Sequence, residues 1–391
     1  MSDFEDYNAE EPATDGDDFT DPIATFPSLY HKQSSVAMGL NKSSVLQLAQ
    51  CGDSVCALSD TGTVCVYSTD TLTKTNTLQP HTAPVTGLAT THTLPHMVAT
   101  CSTDHTVKVW DIRVASDKPS HTLTFSGSVA SQQPHCAGKP LNSVAMNSSG
   151  LVAAGTEQVG GETFLLFWDT RQGNKLLGGY WDSHNDDITS LQFHRDKKDI
   201  LATGSTDGLV NVLDLSQGSE DDALVTSHNT EDSVGRVLWY SRKGDPMQLA
   251  IQTHTEEIQL WNTDDVGPHT VFDRSSICHG IRRKISEHTY IAGIHASQEQ
   301  GGLVVIAGSS CSSGPCLRLA RIKNKKVKPL SMLGGEGSVV RCSLALEAGG
   351  YVTGGEDGIV AVWREGEGKN ESEQKGGKIS KRSKKSREKP Y

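Results

Sequence analysis

No apolar stretch in this chain of 391 residues exceeds five residues, as in Leu303–Ala307. A membrane-spanning helix needs about 20, so none is expected. The first residues, MSDFEDYNAEE, are acidic from the third position. They lack the basic start and apolar core of a secretory leader, which predicts that none is present. Cysteine numbers nine, an odd count, and no two cysteines stand in Cys-x-x-Cys spacing. That argues against a disulfide scaffold or a zinc cage and for reduced thiols in the cytosol or nucleus. Also missing are Gly-x-x-x-x-Gly-Lys-Ser/Thr, Gly-x-Ser-x-Gly and His-Glu-x-x-His. These patterns mark phosphate cradles, nucleophile elbows and zinc hydrolases. Cys311 and Cys316 sit beside Gly, Ser and Pro in an expected turn, but two further metal ligands are not in sight. No metal or cofactor site is expected.

The net charge of −11 hides an asymmetry. Residues 3–21 carry nine carboxylates and no Lys or Arg, whereas residues 375–391 carry eight Lys or Arg and one Glu. The remaining body, residues 22–374, holds −9. An acidic body is a poor nucleic-acid surface, because binding there relies on cations neutralising phosphates.

What the chain has is a repeat. MVATCSTDHTVKVWD (Met97–Asp111), ILATGSTDGLVNVLD (Ile200–Asp214) and YVTGGEDGIVAVWR (Tyr351–Arg364) align without gaps. Each reads as strand, tight turn, strand. Thr100, Thr203 and Thr353 share one position, Asp104, Asp207 and Asp357 the next marked one, and Trp110, Leu213 and Trp363 the last. Asp-Gly at 207–208 and 357–358 is a hairpin signal, since Gly tolerates positive φ. The nearly all-apolar second strands suit burial on both sides. Weaker copies end at Tyr67, Trp168 and Trp261, and a degraded one centres near Leu319. The markers Tyr67, Trp110, Trp168, Leu213, Trp261 and Trp363 lie 43, 58, 45, 48 and 102 positions apart, with the degraded copy inside the last gap. The chain therefore holds seven units.

This period, with Trp-Asp closing a strand, resembles the WD40 repeat over about residues 26–364. The resemblance implies an all-β, seven-bladed β-propeller. Closing the ring removes the apolar end faces of an open stack, so a monomer is expected. Fourth strands are placed near Thr73–Leu78, Ser120–Phe125, Lys175–Tyr180, Ala223–Ser227, His269–Phe272 and Val327–Leu333. The seventh unit lacks one, because the chain turns charged after Trp363. A strand from about Ala24 to Val36 is expected to supply it and so hide an edge. The resulting division is an acidic disordered N-terminus (1–23), a propeller (24–364) and a basic disordered tail (365–391).

The family ties its blades with His, Ser/Thr, Asp and Trp. His81, Thr100, Asp104 and Trp110 supply the full set in the second unit. His184, Thr203 and Asp207 supply three members in the fourth. Thr353, Asp357 and Trp363 do so in the seventh, with Glu336 where His would stand. Asp60 sits one residue early. The expected role of these groups is a satisfied buried network, not catalysis. Gly334, Gly335 and Gly337 fall in a loop between blades. The insertion Gly127–Lys139 and the segment Ser219–Ala223 read as polar loops. Two Trp-Asp-x-Arg motifs end in Arg113 and Arg171. They resemble the signature by which WD40 substrate receptors dock on a cullin-4 ubiquitin ligase adaptor. A guanidinium there could pair with a partner carboxylate or with its own Asp. A narrower resemblance within the family rests on AAGTE and LLFWDTR, SHNDDIT, TDGLVNVLDLS and EDDALVTS. Finally, Lys381, Arg382, Lys384, Lys385 and Arg387 form a run of the nuclear-localisation type. The whole predicts a non-enzymatic nuclear scaffold with protein partners, no membrane association, and nucleic-acid contact only through the basic tail. The alternative is the cullin-4 substrate receptor.

Overall fold

Runs such as VCVYS, TVKVWD and LVNVLD are β-branched or aromatic at most positions and are bounded by Gly, Asp and Ser, so they extend and then turn back. The computed structural model describes residues 26–366 apart from 27, 40–42, 80, 115–117, 125–137, 242–245, 298–301, 311–315, 324 and 334–337. The acidic N-terminus, most of the Gly127–Lys139 insertion, Cys136, Cys311, Glu336 with its Gly cluster, and the run Lys381–Arg387 lie outside the described residues.

The first strand, β1 (Ser28–Ala37), is set apart from its sequence neighbours. Five antiparallel sheets follow the chain in order. They are β2 (Val45–Cys51), β3 (Ser54–Ser59), β4 (Val64–Ser68) and β5 (Lys74–Leu78); then β6 (Val85–Thr90), β7 (Met97–Ser102), β8 (Thr106–Asp111) and β9 (His121–Thr124). Next come β10 (Leu141–Met146), β11 (Leu151–Thr156), β12 (Leu165–Asp169) and β13 (Leu176–Tyr180), followed by β14 (Ile188–Phe193), β15 (Ile200–Ser205), β16 (Leu209–Asp214) and β17 (Leu224–Asn229). The fifth comprises β18 (Val234–Tyr240), β19 (Gln248–Thr253), β20 (Ile258–Asn262) and β21 (Thr270–Phe272). The rest is one eight-stranded sheet. It takes β22 (Thr289–Ala296), β23 (Leu303–Ser309), β24 (Cys316–Lys323), β25 (Lys326–Leu333), β26 (Val340–Ala345), β27 (Tyr351–Gly355) and β28 (Ile359–Glu365) in the order β22-β23-β24-β25-β1-β28-β27-β26.

The expected closing strand is thus present, starting four residues later and ending one later than the reading placed it. It pairs antiparallel with β28 from Tyr30 opposite Glu365 to Ala37 opposite Ile359. It makes a second junction that was not foreseen, running parallel to β25 with Ser28 beside Ser331. The other outer strands fall where the sequence put them. One reading is corrected. Ser219–Ala223 is not a loop, since Glu220–Ala223 forms a single helical turn, α1, whose start Ser219 caps by accepting from Asp222 N. A second helix, α2 (Arg274–Gly280), precedes β22. It packs so close to β25 that a Cβ on Gly280 would overlap Val327 Cγ1.

The inner strands touch in the order β2, β6, β10, β14, β18, β22, β26 and back to β2. Six begin with a buried aliphatic residue, Val45, Val85, Leu141, Ile188, Val234 and Val340, and β22 carries Ile291 at its third position. Each then shifts register directly after it, as between Val45 and Gln47 or Val85 and Gly87. A bulge bends a strand and raises its twist. Side chains stitch neighbouring inner strands there: Thr86 donates to Leu141 O at 2.6 Å, Ser143 to Ile188 O at 2.7 Å and Thr189 to Val234 O at 2.6 Å. The marker residues lie between sheets. Trp110 packs with Ala49, Leu58 and Val66 of the preceding sheet, and Trp363 with Leu317 and Leu319. Burying such aromatics contributes roughly 2–3 kcal/mol each. The fold is an all-β propeller.

Blade networks and candidate interaction surface

In the second sheet His81, Thr100, Asp104 and Trp110 lie within hydrogen-bonding distance of one another in a chain. Trp110 Nε1 donates to Thr100 Oγ1 at 3.2 Å, and Thr100 Oγ1 lies 2.9 Å from His81 Nε2. His81 Nδ1 is 2.9 Å from Asp104 Oδ2. The carboxylate also accepts from Thr82 N and Thr106 N, each at 3.1 Å, and from Thr106 Oγ1 at 2.7 Å. Burial pushes the Asp104 pKa up, but these bonds outweigh it and hold the carboxyl below its ordinary value. Burial lowers His81. A neutral ring that donates through Nδ1 satisfies every member. The chain from strand to strand is a buried polar network, costly to break at one point.

In the fourth sheet His184 Nε2 meets Thr203 Oγ1 at 2.7 Å and Nδ1 meets Asp207 Oδ2 at 3.2 Å. Leu213 fills the Trp position without a polar group, and Asn211 ties in instead by donating to Ser183 O. In β27 and β28 Trp363 Nε1 donates to Thr353 Oγ1 at 2.9 Å, and Asp357 accepts from Ile359 N at 3.0 Å. Among the described residues Asp60 accepts from Ser44 N alone, at 3.0 Å. Sequence reasoning missed two replacements. Trp168 Nε1 donates to Thr124 O of the preceding sheet at 3.2 Å. Trp261 Nε1 donates to Gln259 Oε1 at 3.1 Å, and Gln259 Nε2 reaches Thr230 O at 2.9 Å. A Gln two residues before the Trp was the available signal.

Arg113 and Arg171 adopt one geometry. Arg113 Nε and Nη2 donate to Asp111 at 2.9 and 2.6 Å; Arg171 does the same to Asp169 at 2.9 and 2.7 Å. These bonds hold Asp111 and Asp169 below the ordinary carboxylate value. The guanidinium side chains remain 64% and 68% exposed, so each forms a preorganised fork at a sheet rim. Glu220 in α1 clasps another rim, accepting from Trp181 N at 2.9 Å, Asp182 N at 3.0 Å and Ser183 Oγ at 2.5 Å.

One polar cluster was not anticipated. Arg236, His295, Cys342 and Ser343 converge where β18, β22 and β26 meet. A Cβ on Gly293 would overlap Ser343 Oγ, so the glycine makes room. His295 Nε2 lies 2.8 Å from Ser343 Oγ, which donates to Ala292 O. Burial, helped by Arg236, drives His295 down to about 3. Burial pushes the Cys342 thiol up to about 12, and it donates to Val45 O. A base that weak and a thiol that stays protonated are poor catalytic groups. Cys65 and Cys101 are core, as expected, and Cys316 opens β24. Among the described residues no three His, Cys, Asp or Glu side chains are placed to hold a metal ion.

The WD domain, G-beta repeat family model matches residues 72–111 and 175–214. Each match spans one outer strand and the three inner strands of the next sheet, β5–β8 and β13–β16. The chain is an all-β propeller with WD40 repeats. It is similar to the WD repeat-containing protein 89 homolog of Dictyostelium discoideum, with 31% identity over 41% of this chain and 39% of that protein. An uncharacterized WD repeat-containing protein of Saccharomyces cerevisiae is 29% identical over 70% of this chain and 65% of its own length. One of Schizosaccharomyces pombe is 27% identical over 56% and 62%. The chain thus spans less than two-thirds of the length of these relatives. The narrower resemblance carried by LLFWDTR and TDGLVNVLDLS was to WD repeat-containing protein 89, and the Dictyostelium similarity agrees with it.

Proposed function

We propose that this chain is a seven-bladed propeller that serves as a non-enzymatic scaffold for protein partners in the nucleus. WD40 propellers are typically interaction platforms. The blade count is supported by the cyclic order of the inner strands. If β1 is counted as the outer strand beside β28, the eight-stranded sheet is two blades joined at β25 and β1. The acidic segment 1–23 and the basic tail 365–391 then flank the propeller of residues 24–364. The observation that carries the scaffold reading is the use made of the His–Asp pairs. His81–Asp104 and His184–Asp207 are consumed in tying blades together, which leaves surfaces rather than a reactive centre.

The nuclear part rests on the run Lys381–Arg387, which holds five cations in seven residues and follows the last strand. Changing Lys381, Arg382, Lys384 and Lys385 to Ala should move a fluorescently tagged protein from nucleus to cytoplasm without altering its melting temperature. Unchanged nuclear signal overturns this part.

The paired forks favour a second reading, a substrate receptor on a cullin-4 ubiquitin ligase adaptor. Both guanidiniums bind their Asp through Nε and Nη2, which leaves the Nη1 edge for a partner carboxylate. Arg113→Ala with Arg171→Ala should abolish capture of the adaptor while the melting temperature changes little. Capture that persists in the double variant, or fails with the natural chain, rejects it.

A further inference from the structure

We infer that the acidic N-terminal segment, residues 3–21, docks back onto a basic patch at the β24–β25 hairpin. Residues 274–333 hold ten Lys or Arg against Glu287 and Glu299, although the body as a whole is acidic. The cations gather in space as well as in sequence. In the β24–β25 hairpin Arg321 stands opposite Lys328 and Lys323 opposite Lys326. Like charges directly opposite each other are destabilising, and an anionic segment laid over Lys323 and Lys326 would offset that. Lys323, Lys325, Lys326 and Lys328 are exposed, as is Lys284 after α2. Arg318 turns to the opposite side of β24, where it is buried and donates through Nη1 to Ile281 O at 2.8 Å and Arg282 O at 3.2 Å.

The tether is close by. β1 runs parallel to β25 with Ser28 beside Ser331. Phe26 is buried, with its ring 5.4 Å from Arg318 Cζ. The acidic segment is therefore joined to the strand paired with the one that carries Lys326 and Lys328. Asp21 is five residues before Phe26, a reach of about 17 Å at ~3.4 Å per residue. That equals the distance from Ser331 back to Lys326 along β25, about 17 Å. Tethering makes the encounter intramolecular, with an effective concentration on the order of millimolar. Weak exposed ion pairs then suffice, and the segment screens this patch from other polyanions.

The test is a labelled peptide of residues 1–24 titrated, by fluorescence anisotropy, into the chain lacking residues 1–21 and into the full chain. The truncated chain should bind at least about tenfold more tightly, because the full chain carries its own competitor. Raising salt from roughly 0.05 to 0.3 M should weaken binding by about tenfold or more. Lys323→Glu, Lys325→Glu, Lys326→Glu and Lys328→Glu together should remove binding. The same reversal at Lys74, Lys175, Lys197 and Lys198 should leave it. Should the first set fail to fold, the four Lys→Gln changes serve instead and should still weaken binding about tenfold. Absent binding, equal binding by both chains, or indifference to these lysines overturns the proposal. So does light scattering that shows the full chain, but not the truncated one, pairing into dimers, since the segment would then lie on a second copy.

Discussion

Removal of residues 1–37 is expected to lower the melting temperature by more than 10 °C, or to leave an aggregating chain, while removal of residues 1–20 shifts it by only a few degrees. A loss of several kcal/mol in a domain of this size corresponds to a shift of about that magnitude. β1 is the sole link between β25 and β28 in the sheet order. Its loss strips the antiparallel ladder from Tyr30 to Ala37 and the parallel one at Ser28–Tyr30. Also lost are Tyr30 against Tyr351, with ring centroids 5.5 Å apart, and Lys32 over the Trp363 ring at 5.2 Å. β25 and the apolar β28 become open edges, and such edges template aggregation. Calorimetry and size-exclusion chromatography would decide it. Equal melting of both truncations and the full chain would show that β1 does not close the ring.

Asp104→Ala should cost about 3 kcal/mol or more in urea unfolding, against about 1 kcal/mol for Asp60→Ala. Both residues follow the second strand of their sheets, Asp60 one residue earlier than Asp104. Asp104 satisfies a buried His81 ring and the backbone N–H groups of Thr82 and Thr106, and its removal leaves all three short of a partner. Asp60 accepts one bond, from Ser44 N at a partly exposed site where water can replace it. Similar losses for the two variants would mean that the network is not cooperative.

The contrast between Asp104 and Asp60 shows how far local pattern reaches. A one-residue difference in register was visible in the sequence, and it predicted which carboxylate joins a network. Strand positions, the Asp-Gly turns and the buried markers were legible for the same reason. A period of two along a strand and the special φ of a turn act within a few residues, as Gly208 and Gly358 show with φ +84° and +75°. The same window explains the misreading of Ser219–Ala223. Its charges resemble a loop, and only the backbone N–H groups of Trp181 and Asp182, some forty residues away in the chain, give Glu220 its place.

The sequence by itself determined the repeat, its strands, its core aromatics and the need for an N-terminal strand, because each follows from residue type and short-range spacing. Only the tertiary structure decided where distant residues meet. It brought β1 beside β25, let Gln259 and Thr124 stand in for missing network members, and drew Arg236, His295 and Cys342 together across three inner strands. It also set Lys323 opposite Lys326 and Arg321 opposite Lys328 in one hairpin, where averaging over an acidic body had hidden them. Hydrogen bonds and Coulomb forces act over a few ångströms in space, so their partners are set by how the ring closes and not by order along the chain.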